Sequence, residues 1–183
     1  TLGSSLKIRV KEKVAPVISI TAPTADSYIT NATPTIKFTV TDADSGVNSG
    51  TIAMKLDGTA VTVTKTAITG GYECSYKPTT ALKDGSHTIS VTASDNDGNA
   101  ASAKTATFTV DTVPPTLTIT APAEGLVTNK TTITVTGKTD DATSKPVTVT
   151  VNGAAATVGT DGFFSKDVTL TNGANKITII AKD

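Results

Sequence analysis

The chain of 183 residues has no tryptophan, one cysteine, one histidine and one methionine, and aromatic residues make up only 4% of it. Each shortage excludes something. The lone Cys74 cannot form an internal disulfide, so core packing alone must hold the fold. A single histidine, His87, rules out the paired-histidine metal motifs, and neither a G-x-S-x-G elbow nor a phosphate loop is present. No catalytic residue is expected. Charged residues are scarce at 17%, and 16 basic against 16 acidic leaves no net charge. That balance supplies no electrostatic footprint for nucleic acid or an anionic membrane surface. No run approaches the ~20 apolar residues that span a bilayer.

What is there is threonine, the commonest residue, in runs that alternate with Ile, Val and Leu. Threonine is β-branched and tolerates one wet face, so such runs favour half-exposed sheet over helix. Disorder needs few apolar residues and a high net charge. Here 37% of residues are hydrophobic and the formal charge is zero, which excludes it.

One stretch recurs. Leu82 to Asp95, LKDGSHTISVTASD, is matched by Leu170 to Asp183, LTNGANKITIIAKD. Leucine, glycine, three alternating apolar positions and a closing aspartate keep the same spacing. A tight corner leading into a period-two strand is the reading of both. The repeat divides the chain into two modules, residues 14–111 and 112–183, after a leading segment 1–13. That segment contains LKIRVKEK, which runs into Val14-Ala15-Pro16 as TFTVDT runs into Val113-Pro114-Pro115. It reads as the last strand of a preceding domain, with a flexible leader as the alternative. No signal peptide starts at Thr1, and the chain reads as a fragment of something longer.

In the first module Ile18 and Ile20, then Ile36, Phe38 and Val40, mark two strands. Met54 and Leu56 lead into an Asp57-Gly58 hairpin turn. Tyr72 to Tyr76, the Leu82 stretch and Thr105 to Val110 complete about seven strands. The second module repeats the plan through Leu117, Ile119, Ile133, Val135, Val149, Val151, the Asn152-Gly153 turn, Phe164 and the Leu170 stretch. It stops where the first module goes on to its closing strand. The expected cores are Ile18, Ile20, Ile36, Phe38, Leu56, Ile89 and Val91, then Leu117, Ile119, Ile133, Val135, Val151, Phe164, Ile177 and Ile179. The fold class is therefore all-β: two tandem immunoglobulin-like sandwiches, the second lacking its last strand.

The pattern PxLTITAP…TGKTDD…VTVNG…DGFFSKDVTLTNGANKITIIAKD resembles the bacterial immunoglobulin-like domains, in particular the type found as the accessory domain of glucodextranase and in surface-protein arrays. The first module, with TDADSGV…LDG…LKDGSHTISVTASDNDGN, looks like a related repeat. The resemblance implies a non-catalytic stalk, spacer or adhesion module of an extracellular bacterial surface protein. The accessory region of a secreted polysaccharide-degrading enzyme and a decoration domain of a phage virion are the alternatives.

The acidic loops are the sharpest lead to a site. In such sandwiches the B–C and F–G loops share one pole. That places Asp42 and Asp44 beside Asp95 and Asp97, and Asp140 and Asp141 beside Asp183 with the linker residue Asp111. Converging carboxylates make a hard-oxygen site suited to calcium. The competing reading is that Asp, Asn and Gly merely supply turn geometry. No other cofactor is expected. His87 and its counterpart Asn175 are expected to bond back to the corner's backbone. Phe163, beside the core residue Phe164, should face outward and is the aromatic to test for a glycan. Asn31 and Asn129 fit glycosylation acceptors but read as turn residues. Lys37 and Lys55 fall on the polar parity, against an isopeptide crosslink. The expected state is a monomer whose protein or cell-surface glycan partner the residues do not name. Leu6 to Val10 filling the vacant strand position of another copy is the alternative state.

Overall fold

The computed structural model describes residues 5–144 and 146–183. The leading Thr1 to Ser4, part of the 1–13 segment, lies outside them. The chain divides into two compact units between Val110 and Asp111. Apart from one short 3-10 turn at Ser49–Thr51, each is built of strands.

Among the described residues unit 1 has nine strands: β1 (Val17–Ala22), β2 (Ser27–Ile29), β3 (Ile36–Thr41), β4 (Ala53–Leu56), β5 (Thr59–Val61), β6 (Thr64–Ile68), β7 (Gly71–Tyr76), β8 (Gly85–Thr92) and β9 (Lys104–Val110). They form two sheets in the orders β1-β3-β7-β6 and β2-β9-β8-β4-β5. The pairing of β2 with β9 is parallel, and every other pair is antiparallel. Alternation explains the packing: β3 buries Ile36, Phe38 and Val40, and β8 buries Ile89 and Val91. Met54, Leu56, Phe108 and Val110 join them from β4 and β9 to close one core. The Asp57-Gly58 turn has φ of 50° and 78°. Both lie in the left-handed region of the tight hairpin that the Asp-Gly pair selects.

Among its described residues unit 2 has seven strands: β10 (Thr116–Ala121), β11 (Thr132–Asp140), β12 (Thr148–Val151), β13 (Ala154–Ala155), β14 (Thr157–Val158), β15 (Phe163–Thr169) and β16 (Ile179–Lys182). Their sheets run β10-β11-β15-β14 and β13-β12-β16. Among the described residues no strand pairs with the outer edge of β16, where β9 would stand. The buried core reduces to Val135, Val149, Val151 and Phe164. Beside it lies an open groove of about 1130 Å³, lined in part by Ile119, Ile133, Leu170, Ile177 and Ile179. Ile119, expected in the core, borders this groove and is 40% exposed, and Leu117, also expected there, is 37% exposed. Ile133, Ile177 and Ile179 are only half-buried, because no strand covers that flank.

The two cores fill the same space in opposite ways. On the β1–β3 sheet, Phe38 pairs across to Cys74. At the matching place in unit 2, Gly137 pairs across to Phe164. The large ring has moved to the neighbouring strand and the small residue has taken its place. A Cβ on Gly137 would lie 2.6 Å from Phe164 ring carbons and 2.3 Å from the Thr118 carbonyl. Cys74 is thus the small partner of a phenylalanine.

In the leading segment, residues 5–16 form no strand. Residues 5–16 carry no sheet pairing, and Leu6, Ile8 and Val10 are all more than four-fifths exposed. Its alternation of apolar and basic residues satisfies the strand pattern without a neighbour to pair with. Instead it is fastened to unit 1 through Arg9, whose guanidinium donates to both carboxylate oxygens of Asp97 at 2.5 and 2.8 Å.

Candidate functional site

At one pole of unit 1 the β3–β4 and β8–β9 loops are zipped together. The Asn96 amide donates to the Gly46 carbonyl at 2.9 Å and the Asn48 amide to the Ser94 carbonyl at 3.0 Å. The Asn96 side chain adds a bond to the Ser45 carbonyl at 2.9 Å. Each loop wraps on its own first aspartate. Asp42 Oδ1 accepts from the amides of Asp44 and Gly46 at 3.2 and 2.7 Å. Asp95 Oδ1 accepts from the amides of Asp97 and Asn99 at 2.9 and 2.8 Å, and its Oδ2 from the Asn99 side chain at 2.6 Å. These are the side-chain-to-backbone turns that aspartate forms readily.

A third carboxylate arrives from the segment ahead of β1. Glu12 Oε1 accepts from the Ser45 amide at 2.7 Å, and its carbonyl accepts from the Asn99 side chain at 3.2 Å. One carboxylate oxygen each from Glu12, Asp42 and Asp95 then lie within 4.8 Å of one another. Burial pulls the Asp95 carboxyl upward. Hydrogen bonds from Asn99, Gly98 and Asp97 outweigh it and hold the group below the ordinary carboxylate range.

Unit 2 builds the same constellation. Asp111, Asp141 and Asp183 bring one carboxylate oxygen each within 4.8 Å of one another. Asp141 Oδ1 accepts from the amides of Thr143 and Ser144, both at 2.7 Å. The Ser144 hydroxyl donates to Asp111 Oδ2, and the Val113 amide donates to Asp111 Oδ1 at 3.3 Å. Asp111 and Asp141 are buried and Asp183 is exposed.

Of the eight aspartates picked from the sequence, the structure gathers Asp42 and Asp95 in one group and Asp111, Asp141 and Asp183 in the other. The remaining three stand outside them. Asp97 is turned to Arg9, whose hydrogen bonds keep its carboxyl below the usual range. Asp44 lies at the surface and lends the site only its amide. Asp140 ends β11 on the exposed parity, opposite to the buried Asp141. Alternation along the strand separates those two neighbours.

Glu12 is the residue that sequence reasoning missed. Setting Val14-Ala15-Pro16 on Val113-Pro114-Pro115 places Glu12 on Asp111, so the signal was present. It was passed over because LKIRVKEK reads as a basic run in which one acid does not stand out.

Six carboxylates in two groups of three, four of them buried, are hard oxygen donors at a spacing a divalent ion can bridge. Crowded like charges repel, and a cation between them would remove that cost. Neither thiol nor imidazole competes. Cys74 is in the unit 1 core, and His87 is held elsewhere, with Nδ1 2.7 Å from Asp57 Oδ2 and Nε2 2.8 Å from the Lys83 carbonyl. Asn175 likewise donates to the Thr171 carbonyl at 2.8 Å, so both residues reach back to the corner's backbone. Phe163 is 53% exposed, with the Lys138 ammonium 5.3 Å from its ring centre.

Residues 15–112 match the family model described as a bacterial Ig-like domain, more than half of the chain. Residues 115–183 match the model of glucodextranase domain B. Bacillopeptidase F of Bacillus subtilis (strain 168) is 34% identical over 170 residues, covering 92% of this chain but only 11% of that protein. The chain therefore spans about a tenth of that relative's length. Among solved structures, the fibronectin(III)-like modules of Clostridium thermocellum CbhA superpose with a TM-score of 0.52 at 19% identity. That match covers 90% of this chain and 85% of that one, a likeness of fold. Among the described residues no helix is long and apolar enough to cross a membrane.

Proposed function

The chain belongs to the bacterial Ig-like domain family, and from that premise we propose that it is a non-catalytic spacer of an extracellular bacterial surface protein, each of its units fastened at one pole by a calcium ion. One observation carries the reading. A three-carboxylate group is built twice, each time from the segment leading into the unit, the loop after β3 or β11, and the residues that follow β8 or β16. Glu12 or Asp111 comes from the leading segment, Asp42 or Asp141 from the first loop, and Asp95 or Asp183 from the stretch after β8 or from the end of β16.

An ion held by these three parts would tie the incoming chain to the sandwich and take freedom from the linker Asp111-Thr112-Val113-Pro114-Pro115. That is what a spacer requires: its length should not collapse. Calcium suits the site because it accepts six to eight oxygens in flexible geometry, and carbonyls or water can complete three carboxylates. The partner at the working end, protein or glycan, is read from neither the site nor the relatives.

The test is thermal unfolding of the chain in calcium and in chelator, with scattering dimensions taken in parallel. A ligand at a hundred times its dissociation constant adds ~2.7 kcal/mol to the state that binds it. Both unfolding transitions should rise with calcium. Asp42→Asn should abolish the rise for unit 1 alone, and Asp141→Asn for unit 2 alone. Melting and dimensions that ignore calcium would remove the cation from the proposal.

A second reading has its own support. The match of residues 115–183 to glucodextranase domain B favours an accessory region of a polysaccharide-degrading enzyme. Phe163, half-exposed beneath Lys138, would be its sugar-facing ring. Glycan-array binding that disappears with Phe163→Ala would favour this reading, and an array without signal would leave the spacer.

A further inference from the structure

The sole histidine of the chain occupies a position that only its protonated form satisfies. His87 is 8% exposed, and its ring lies 5.5 Å from that of Phe108, tilted by 31°. Nδ1 faces Asp57 Oδ2 at 2.7 Å and Nε2 faces the Lys83 carbonyl at 2.8 Å. A carboxylate and a carbonyl are both acceptors without a proton to give. A neutral imidazole carries one N–H and can serve only one of them. The imidazolium carries two and serves both.

Asp57 is in turn committed to the same strand. Its Oδ1 accepts from the Thr88 amide at 2.8 Å, and its own amide donates to the Thr88 carbonyl at 2.9 Å. The β4–β5 turn, the start of β8 and the loop before β8 therefore meet at one ring. We propose that His87 is a proton-operated latch in unit 1: charged, it ties the β4–β5 turn to the corner before β8, and losing its proton releases one of the two ties.

The groups facing the ring are the Asp57 carboxylate from the turn, the Lys83 carbonyl from the loop before β8, and the uncharged Phe108 ring from β9. Burial pulls the imidazole's proton affinity down, but the bonds to Asp57 and to the Lys83 carbonyl outweigh it, and the group ends above its ordinary value. A group raised on folding contributes stability that is fully present below its unfolded pKa. That stability disappears as pH rises through the folded value. The latch therefore holds below the ordinary imidazole value and loosens as pH rises through the folded one. Cys74 does not confuse the readout, because burial pushes its thiol above the ordinary value. Unit 2 is a built-in control. Asn175 reaches the corner of that unit in the same way, donating to the Thr171 carbonyl, and an amide does not titrate.

Proton NMR of the whole chain follows a single imidazole, so its titration is read without assignment ambiguity. The midpoint should lie above the ordinary imidazole value and fall toward it in Asp57→Asn. In thermal unfolding, the unit 1 transition should drop as pH rises from the ordinary imidazole value through the folded one, while the unit 2 transition stays level. His87→Asn should flatten the unit 1 profile. A wild-type midpoint at or below the ordinary value overturns the proposal, and so does an unchanged pH profile in His87→Asn. Should that variant fail to fold, the wild-type and Asp57→Asn titrations decide.

Discussion

Unit 1 and unit 2 are written to one plan, yet among the described residues fourteen apolar ones make the buried cluster of the first and four that of the second. The difference traces to one flank. In unit 1, β9 pairs with β8 on one side and β2 on the other, and buries Phe108 and Val110. In unit 2 the matching flank is the groove beside β16, where Ile177 and Ile179 are half-buried. A side chain that points inward is buried only if something covers it. Equal parity in the two units therefore does not mean equal energy.

The sharpest way to break this comparison is to put a charge at two positions that the sequence repeat aligns. Ile89 is fully buried and Ile177, its counterpart in the repeat, borders the groove. Ile89→Asp strands a carboxylate in the core, which costs several kcal/mol, ~3–5. That should abolish cooperative unfolding of unit 1. Ile177→Asp can turn its carboxylate to water and should cost only about 1 kcal/mol. Differential scanning calorimetry that finds equal losses would refute the unequal covering of the two units.

Of intermediate size is the exchange of large and small residues across the paired strands. Gly137→Ala forces a Cβ against the Phe164 ring and the Thr118 carbonyl, and overpacking of this kind costs about 1–3 kcal/mol. Denaturant titration should show unit 2 weakened and unit 1 unaffected. A neutral substitution would mean that the sheet yields there.

The smallest effect tests the same contrast at the first strand of each unit. Ile18 is 8% exposed and its counterpart Leu117 37%. Ile18→Thr should cost ~1–2 kcal/mol, Leu117→Thr within about 0.5. Reversal of that order would place the better-covered first strand in unit 2.

Much of the architecture was legible from residue order. Alternation in Ile36-Lys37-Phe38-Thr39-Val40 and in Ile89-Ser90-Val91 found buried strands, and Asp57-Gly58 and Asn152-Gly153 found hairpin turns. In Leu6 to Val10 the same alternation has no paired neighbour among the described residues, since alternation states which faces a strand would have and not whether a neighbour exists. It also hid a slip. The repeat sets Ile177 on Ile89, but Val151 pairs with Ile179 where Leu56 pairs with Ile89. A slip of two residues keeps every side chain on its own face, so no hydrophobic pattern can register it. The candidate site was half legible: aspartates at loop starts were visible, whereas Glu12 arrives through a segment with no periodic signal.

By itself the sequence determined period, turns and the doubling of one sandwich, because these depend on neighbours along the chain. Tertiary structure alone decided which inward faces are covered, which of eight aspartates converge, and that His87 meets two acceptors at once. Those outcomes depend on segments tens of residues apart, such as Glu12 with Asp95 or Asp57 with His87. Only folding sets the distances between such segments.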